Sequence, residues 1–413
     1  QVVRQSDDHQ RRSSGFRPAP VGTDLTSMAF FASRPTCVAT CWRLMPWVSK
    51  ARIKQIAQRM VELSEADPRI SAIFVAHDTV RLKRTLSEQF CYLLNAGCDY
   101  TGRDMKTAHT DMGVTRTDMN HAAEIYSYNF KKKTWLQLTK TNDETYAKLA
   151  LPKYERRYVT TTDGKKMLVW VILPPNFDAS KKYPTLLYCQ GGPQSPLTQS
   201  YSFRWNFSLM ASQGYVIVAP NRRGMYGHGQ AWNEQISKDW GGQVMNDYLS
   251  AIDDVANESY VDRTRLGAVG ASYGGYSVFY LAGIHNNRFK TFISHCGVFN
   301  LESMYGTTEE VFFNNWDHGG AYWEKDNAVA QKTYTKFNPI KMVDKWNTPI
   351  LIIQGGKDYR VPIGQGQEAF QAAQLRGIKS RFMLFPEENH WVLKPQNALV
   401  WQREFYKWLN ETL

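Results

Sequence analysis

Three side chains that could together activate a hydroxyl follow one another through the second half of the chain: Ser272, Asp358 and His390. Ser272 lies where an apolar run, residues 266–269, passes into Gly270-Ala271-Ser272-Tyr273-Gly274, a G-x-S-x-G pattern. A sharp strand-to-helix turn needs backbone approaches that a Cβ would block, and it lifts the serine hydroxyl clear of the sheet edge; glycines at 270 and 274 suit it. The pattern alone is common and fits equally a glycine-rich connection with an incidental serine. A serine hydroxyl is a weak nucleophile at neutral pH, so it requires a base to take its proton and an acid to orient that base. Asp358 follows the apolar run 350–353 and a Gly355-Gly356 turn, and His390 lies on a loop after the next run, 381–385. Taken singly, Asp358 reads as a turn former and His390 as a loop residue. Three suitable side chains at three strand ends, in this order, point to acyl transfer.

The charge of a tetrahedral intermediate needs fixed donors. The backbone N–H of Tyr273, directly after the serine, supplies one. A second is expected where an apolar run breaks at Gln190-Gly191-Gly192-Pro193, with Gln190 presenting a side-chain or backbone donor.

Four stretches then carry a family resemblance: Gln190-Gly191-Gly192-Pro193, Asn221-Arg222-Arg223-Gly224-Met225-Tyr226-Gly227, residues 270–276, and Asp358-Tyr359-Arg360-Val361-Pro362. With them, residues from about 154 to 413 resemble the peptidase domain of the prolyl oligopeptidase family, of the dipeptidyl-peptidase V and acylaminoacyl peptidase types. The resemblance implies a serine peptidase with Ser272 as nucleophile, His390 as general base and Asp358 as orienting acid. It also implies short peptides as substrates, dipeptides as the released product, and no metal or organic cofactor. Relatives carry Tyr or His in place of Gln190, and many carry His in place of Gln354. In relatives the segment after the nucleophile helix and its following strand builds the pocket for the P1 residue. Here that segment offers Phe299, Leu301, Met304 and Tyr305, with Trp316 behind them and Arg360 and Val361 as further substrate contacts. Apolar walls would favour a small or hydrophobic P1 residue by burying it; the same aromatics also fit ordinary core, and Arg360 a surface ion pair. An esterase or a broader oligopeptidase is the alternative activity.

These side chains need a scaffold. Apolar runs at 167–173, 185–189, 215–219, 266–269, 291–295, 350–354 and 381–385 alternate with helical stretches. They predict a largely parallel sheet wound on both faces by helices, an α/β-hydrolase arrangement over 151–413. Residues 398–409 have the spacing of a closing helix. Residues 124–150 predict two alternating strands around a lysine turn, similar to the end of a β-propeller blade. In the family a propeller restricts access to short peptides, but a propeller needs at least four blades of about 40 residues, so looser exopeptidase selectivity is expected. Residues 53–123 are expected to be helical. Within them 66–70, Arg81-Leu82-Lys83 and 100–109 are similar to group I truncated haemoglobins, which would make His109 an axial haem ligand. A haem-binding protein with a passenger hydrolase domain is the alternative that follows. Residues 1–52 match no recognisable pattern and read as a polar leader followed by a short helix.

Composition bounds the function further. A chain of 413 residues with 43% hydrophobic content has room for one large domain and one or two small ones. Its formal charge is +12, yet the basic residues are scattered and no zinc-finger, RNP or helix-turn-helix signature accompanies them. The charge therefore reads as solubility rather than nucleic-acid binding. No apolar run approaches a membrane-spanning helix in length. Six cysteines without a C-x-x-C pair suggest neither a zinc site nor a disulfide scaffold. The sequence given starts on a glutamine without the flank and apolar run of a signal peptide, so such a signal is either absent or already removed, and a periplasmic or secreted setting is expected. Homodimerisation is left open.

Overall fold

The computed structural model describes residues 50–66, Lys83 and 111–413, and the chain divides into two compact units between Thr110 and Asp111. In the first unit, helix α1 (Lys50–Ala66) buries Ala57 and Val61, four residues apart and so on one face. His109, residues 1–49 and most of the segment expected to be globin-like lie outside the described residues.

The second unit opens on a small antiparallel sheet, β1 (Asp111–Arg116), β2 (Glu124–Asn129) and β3 (Thr134–Gln137). The two strands expected around the lysine turn are present, with Lys133 in the left-handed region at φ 53°. Strand β1 corrects the expectation of helix through residue 123. It pairs with β2 along its whole length, setting Val114 opposite Tyr126, and the Arg116 guanidinium lies 5.6 Å from the Tyr126 ring and 6.0 Å from the Trp135 ring. The boundary expected at 123/124 thus falls inside one sheet. That sheet has three strands, whereas a propeller blade has four.

The main sheet comprises β4 (Lys153–Thr160), β5 (Lys166–Leu173), β6 (Tyr183–Cys189), β7 (Val216–Pro220), β8 (Val261–Ala271), β9 (Thr291–His295), β10 (Ile350–Gly355) and β11 (Ser380–Phe385). Its order is β11-β10-β9-β8-β6-β7-β5-β4. The six strands from β6 to β11 run parallel, while β5 is antiparallel to β7 and β4 to β5, so the expected sheet is present but mixed at one edge. Strand β4 carries no apolar alternation in Lys-Tyr-Glu-Arg-Arg-Tyr-Val-Thr, which suits an edge kept charged against further pairing.

Each central strand buries both faces. Leu187, Val218, Ala268, Phe292 and Ile352 enter one core with helices α2 (Gln243–Ala256), α3 (Tyr273–Ala282) and α4 (Ile363–Leu375). Their neighbours Leu186, Ile217, Val269, Ile293 and Ile353 enter a second core with helix α5 (Pro395–Thr412). Burial on both sides is why these strands read as continuous apolar runs. Strands β8, β9, β10 and β11 lie side by side and parallel in one layer, so that their carboxyl ends open on the same edge, where ligands of such sheets bind.

Helix α5 closes the second core through Trp401, Phe405, Trp408 and Leu409, all buried. Replacing Trp401 by Ala should cost about 3–5 kcal/mol in denaturant unfolding. Leu399→Ala, on the same helix but 69% exposed, should change stability by no more than about 0.5 kcal/mol. Equal effects of the two would contradict this packing.

Candidate active site

Ser272 follows the last residue of β8 and caps α3, at φ 60° and ψ −125°. Two anchors hold this sparsely populated conformation: the Ser272 N–H donates to the His295 carbonyl at 3.0 Å, and the Ser272 carbonyl accepts the Tyr276 N–H at 2.9 Å. The glycines around it are required by contact. A Cβ on Gly270 would lie 2.6 Å from the Cys189 carbonyl oxygen, and one on Gly274 would overlap that same oxygen. The turn is therefore pressed directly against the end of β6, and the loop after β6 runs past the serine. A Cβ on Gly191 would stand 3.4 Å from the Ser272 Cβ.

Asp358 follows β10. Its Oδ1 accepts the backbone N–H groups of Arg360 at 3.0 Å and Val361 at 2.9 Å, and its Oδ2 lies 2.8 Å from His390 Nδ1, with Gln354 Nε2 at 3.4 Å. These bonds leave the carboxylate fully engaged and aimed at the imidazole. His390 sits on the loop after β11, which Glu388 folds by accepting the N–H groups of Leu393 and Lys394 and the side-chain amide of Asn397. Burial disfavours a charged His390, but the Cys296 sulfur and the Asp358 carboxylate favour the imidazolium, and the balance lies above the ordinary histidine value. A base so placed retains the proton it takes. His295, next to the elbow, is fully buried, and burial holds its pKa well below the ordinary value.

The loop between β6 and Pro193 is fixed by a residue whose type the motif did not explain. Arg222 is fully buried. Its guanidinium donates to the carbonyls of Gln190 at 2.9 Å, Pro193 at 2.7 Å and Arg223 at 2.7 Å, while Nε donates to the Tyr248 hydroxyl at 2.9 Å. The charge also lies 4.8 Å from the Tyr273 ring, so carbonyl dipoles and ring faces compensate it. The side chain of Gln190 is turned back into its own loop, accepting from the Tyr188 hydroxyl at 2.8 Å and donating to Ser195 Oγ at 3.2 Å. Of the two donors expected from Gln190, the side-chain amide is thus engaged within its own loop, which leaves the backbone N–H as the other candidate. Tyr273 begins α3, where main-chain N–H groups have no partner within the helix, and its hydroxyl is tied to the Trp240 carbonyl at 2.7 Å.

The expected pocket residues separate. Phe299 and Leu301 have no exposed surface, and Met304 and Val361 almost none; they belong to the core beneath the site and cannot wall an open pocket. Phe299 packs against Phe279 and Trp346, while Val361 donates to Asp358 and so helps to hold the acid. Tyr305 is buried and donates to Asn315 at 2.9 Å. Arg360 is occupied by Glu310 at 2.9 Å and Glu309 at 3.6 Å, the ion-pair alternative. Trp316 is exposed, with Lys238 over its ring. Its helix, Val311–His318, starts beside the acid loop, because the Glu309 N–H donates to the Tyr359 carbonyl at 2.9 Å.

An oriented imidazole, a serine in a tight elbow and nearby main-chain donors are the parts of an acyl-transfer site. A family model described as the prolyl oligopeptidase family matches residues 201–413. The chain is 53% identical over 315 residues to a dipeptidyl-peptidase 5 of Porphyromonas endodontalis, covering 76% of this chain and 45% of that protein. It is 55% identical over 290 residues to one from Porphyromonas gingivalis, covering 70% and 42%. It thus spans less than half the length of these curated relatives. Among solved structures, an uncomplexed acylaminoacyl peptidase of Pyrococcus horikoshii superposes with a TM-score of 0.67 at 23% identity, covering 73% of this chain and 48% of that one. Porphyromonas gingivalis dipeptidyl peptidase 4 superposes with a TM-score of 0.62 at 21% identity, covering 73% and 43%. The likeness to both is one of fold.

If Arg222 sets the loop that faces the serine, Arg222→Lys should lower kcat for an activated ester by up to about 10²-fold, the scale of one lost oxyanion donor, with KM little changed. Steady-state kinetics alongside a melting curve check this. A folded variant with unchanged kcat would contradict the role.

Proposed function

Because the chain belongs to the prolyl oligopeptidase family, we propose that it is a serine peptidase that cleaves short peptides through an acyl-enzyme and releases dipeptides. The observation that carries the reading is the buried Asp358–His390 hydrogen bond at the strand ends, on the same sheet edge as the Ser272 elbow. In this reading Ser272 Oγ attacks the scissile carbonyl while His390 Nε2 takes its proton, and Asp358 keeps the other ring nitrogen protonated and the ring in position. The N–H groups of Tyr273 and Gln190 receive the developing oxyanion. His390 then returns the proton to the leaving amine, and water repeats the sequence to release the acyl group.

Dipeptide release is supported by the names of the two relatives that are more than half identical over the matched residues. A small or hydrophobic P1 residue suits the surface beside the acid loop, where Phe312, Trp316 and Tyr359 are exposed. There burial of an apolar side chain would be favourable.

A panel of four substrates tests the reading: a dipeptidyl amide with a free amine and an apolar P1 residue, its N-blocked counterpart, an N-acyl-aminoacyl amide, and a simple ester. The free dipeptidyl amide should show the highest kcat/KM, and Ser272→Ala should lower it by at least about 10³-fold. Turnover of the ester alone would favour an esterase. Equal cleavage of blocked and free peptides would favour a broader oligopeptidase.

A further inference from the structure

Acyl transfer leaves one donor beside the catalytic pair unused. Cys296 directly follows β9, with its N–H bonded to the Ile353 carbonyl at 2.8 Å and its backbone in the left-handed region at φ 41°. That conformation is uncommon for a residue with a side chain. The thiol is free and reaches the His390 loop, donating to the His390 carbonyl at 3.8 Å. One ligand atom from each of Cys296, Asp358 and His390 lies within 4.8 Å of the other two, and all three residues are buried. Sulfur, imidazole nitrogen and carboxylate oxygen form a donor set for a borderline-soft cation such as Zn²⁺, not for Mg²⁺ or Ca²⁺, which prefer oxygen alone.

We propose that Cys296, Asp358 and His390 form an inhibitory site for a zinc-class divalent cation, which takes the catalytic base out of use. Binding displaces the thiol proton of Cys296 to solvent and leaves a thiolate on the metal. The imidazole binds in its neutral form, so any imidazolium proton leaves to solvent with that of the thiol, and the one proton that remains sits on Nε2, because Nδ1, the nitrogen beside Asp358, gives its lone pair to the metal. Nε2 then has no lone pair for the Ser272 proton, so attack on a substrate carbonyl stops. The dication, thiolate, carboxylate and neutral imidazole sum to zero charge, so a buried site gains no unpaired charge. Metal–ligand bonds of about 2.0–2.3 Å set tetrahedral ligand atoms roughly 3.3–3.7 Å apart. The Asp358–His390 contact, 2.8 Å here, must open by about half an ångström, and the thiol must draw in from its place within 4.8 Å of the other two ligand atoms. The inhibition, though not the binding, rests on the reading of His390 as general base.

Two measurements separate those parts. In the inactive Ser272→Ala protein, Co²⁺ in place of Zn²⁺ should give a thiolate-to-metal absorption band that Cys296→Ser or Cys296→Ala removes. In the wild type, Zn²⁺ set by a chelator buffer should inhibit ester or dipeptidyl amide hydrolysis at one site, reversibly with excess chelator, whereas Mg²⁺ and Ca²⁺ should have no effect. Cys296→Ser should raise the inhibitory Zn²⁺ concentration at least about tenfold, the lower end of what even outer-shell partners of a metal are worth. A folded Ser272→Ala protein without the band, or inhibition unchanged in both Cys296 variants, overturns the site. A cobalt band in a chain whose metal-free wild type hydrolyses nothing would uphold the site and overturn the catalytic reading instead.

Discussion

The carbonyl oxygen of Cys189 is the contact on which the site depends. It occupies the space that a side chain at Gly270 or Gly274 would need, so the strand carrying the serine and the helix that follows it can approach the end of β6 only at those two residues. Between those two glycines residue 272 has a positive φ, which is costly for a residue with a side chain and persists only where its surroundings over-determine it. Here the His295 carbonyl on one side and the first turn of α3 on the other supply that determination. The loop that faces the nucleophile is held close as well, since a Cβ on Gly191 would stand 2.9 Å from the Ala271 carbonyl oxygen.

Charge is handled in the same economical manner. Asp358 has both oxygens satisfied before His390 is counted, so its orientation does not depend on the imidazole. Arg222 carries a buried positive charge against carbonyls and rings, and those carbonyls belong to the loop beside the serine. A buried guanidinium is expensive to desolvate, and several good hydrogen bonds are needed to offset that cost. Its return is a loop whose backbone cannot drift from the elbow.

Much of this was legible in sequence for a physical reason. Strands buried on both faces have to be apolar throughout, so β6 to β10 stood out, and a nucleophile elbow has to carry glycines at fixed offsets. The order of Ser272, Asp358 and His390 followed from the strand ends. Edge strands announce themselves less: β4 is charged because one side of it is unpaired, and β1 is held by cross-strand partners that no local pattern reveals. The expected pocket residues divide for another reason. Phe299 and Leu301 have the apolar character of a binding wall, but a wall and the core beneath it use the same residue types, and burial alone separates them. Arg222 was visible inside Asn221-Arg222-Arg223-Gly224, yet its role depends on carbonyls about thirty residues away, and Cys296 carried no spacing signal at all.

The most direct measurement of the central claim is covalent modification by a fluorophosphonate, with the modified residue located by mass spectrometry. Adduct is expected on Ser272, formed much more slowly in His390→Gln and Asp358→Asn proteins of unchanged melting temperature. An adduct on another residue, or equal rates in the wild type and a folded His390→Gln protein, would contradict it.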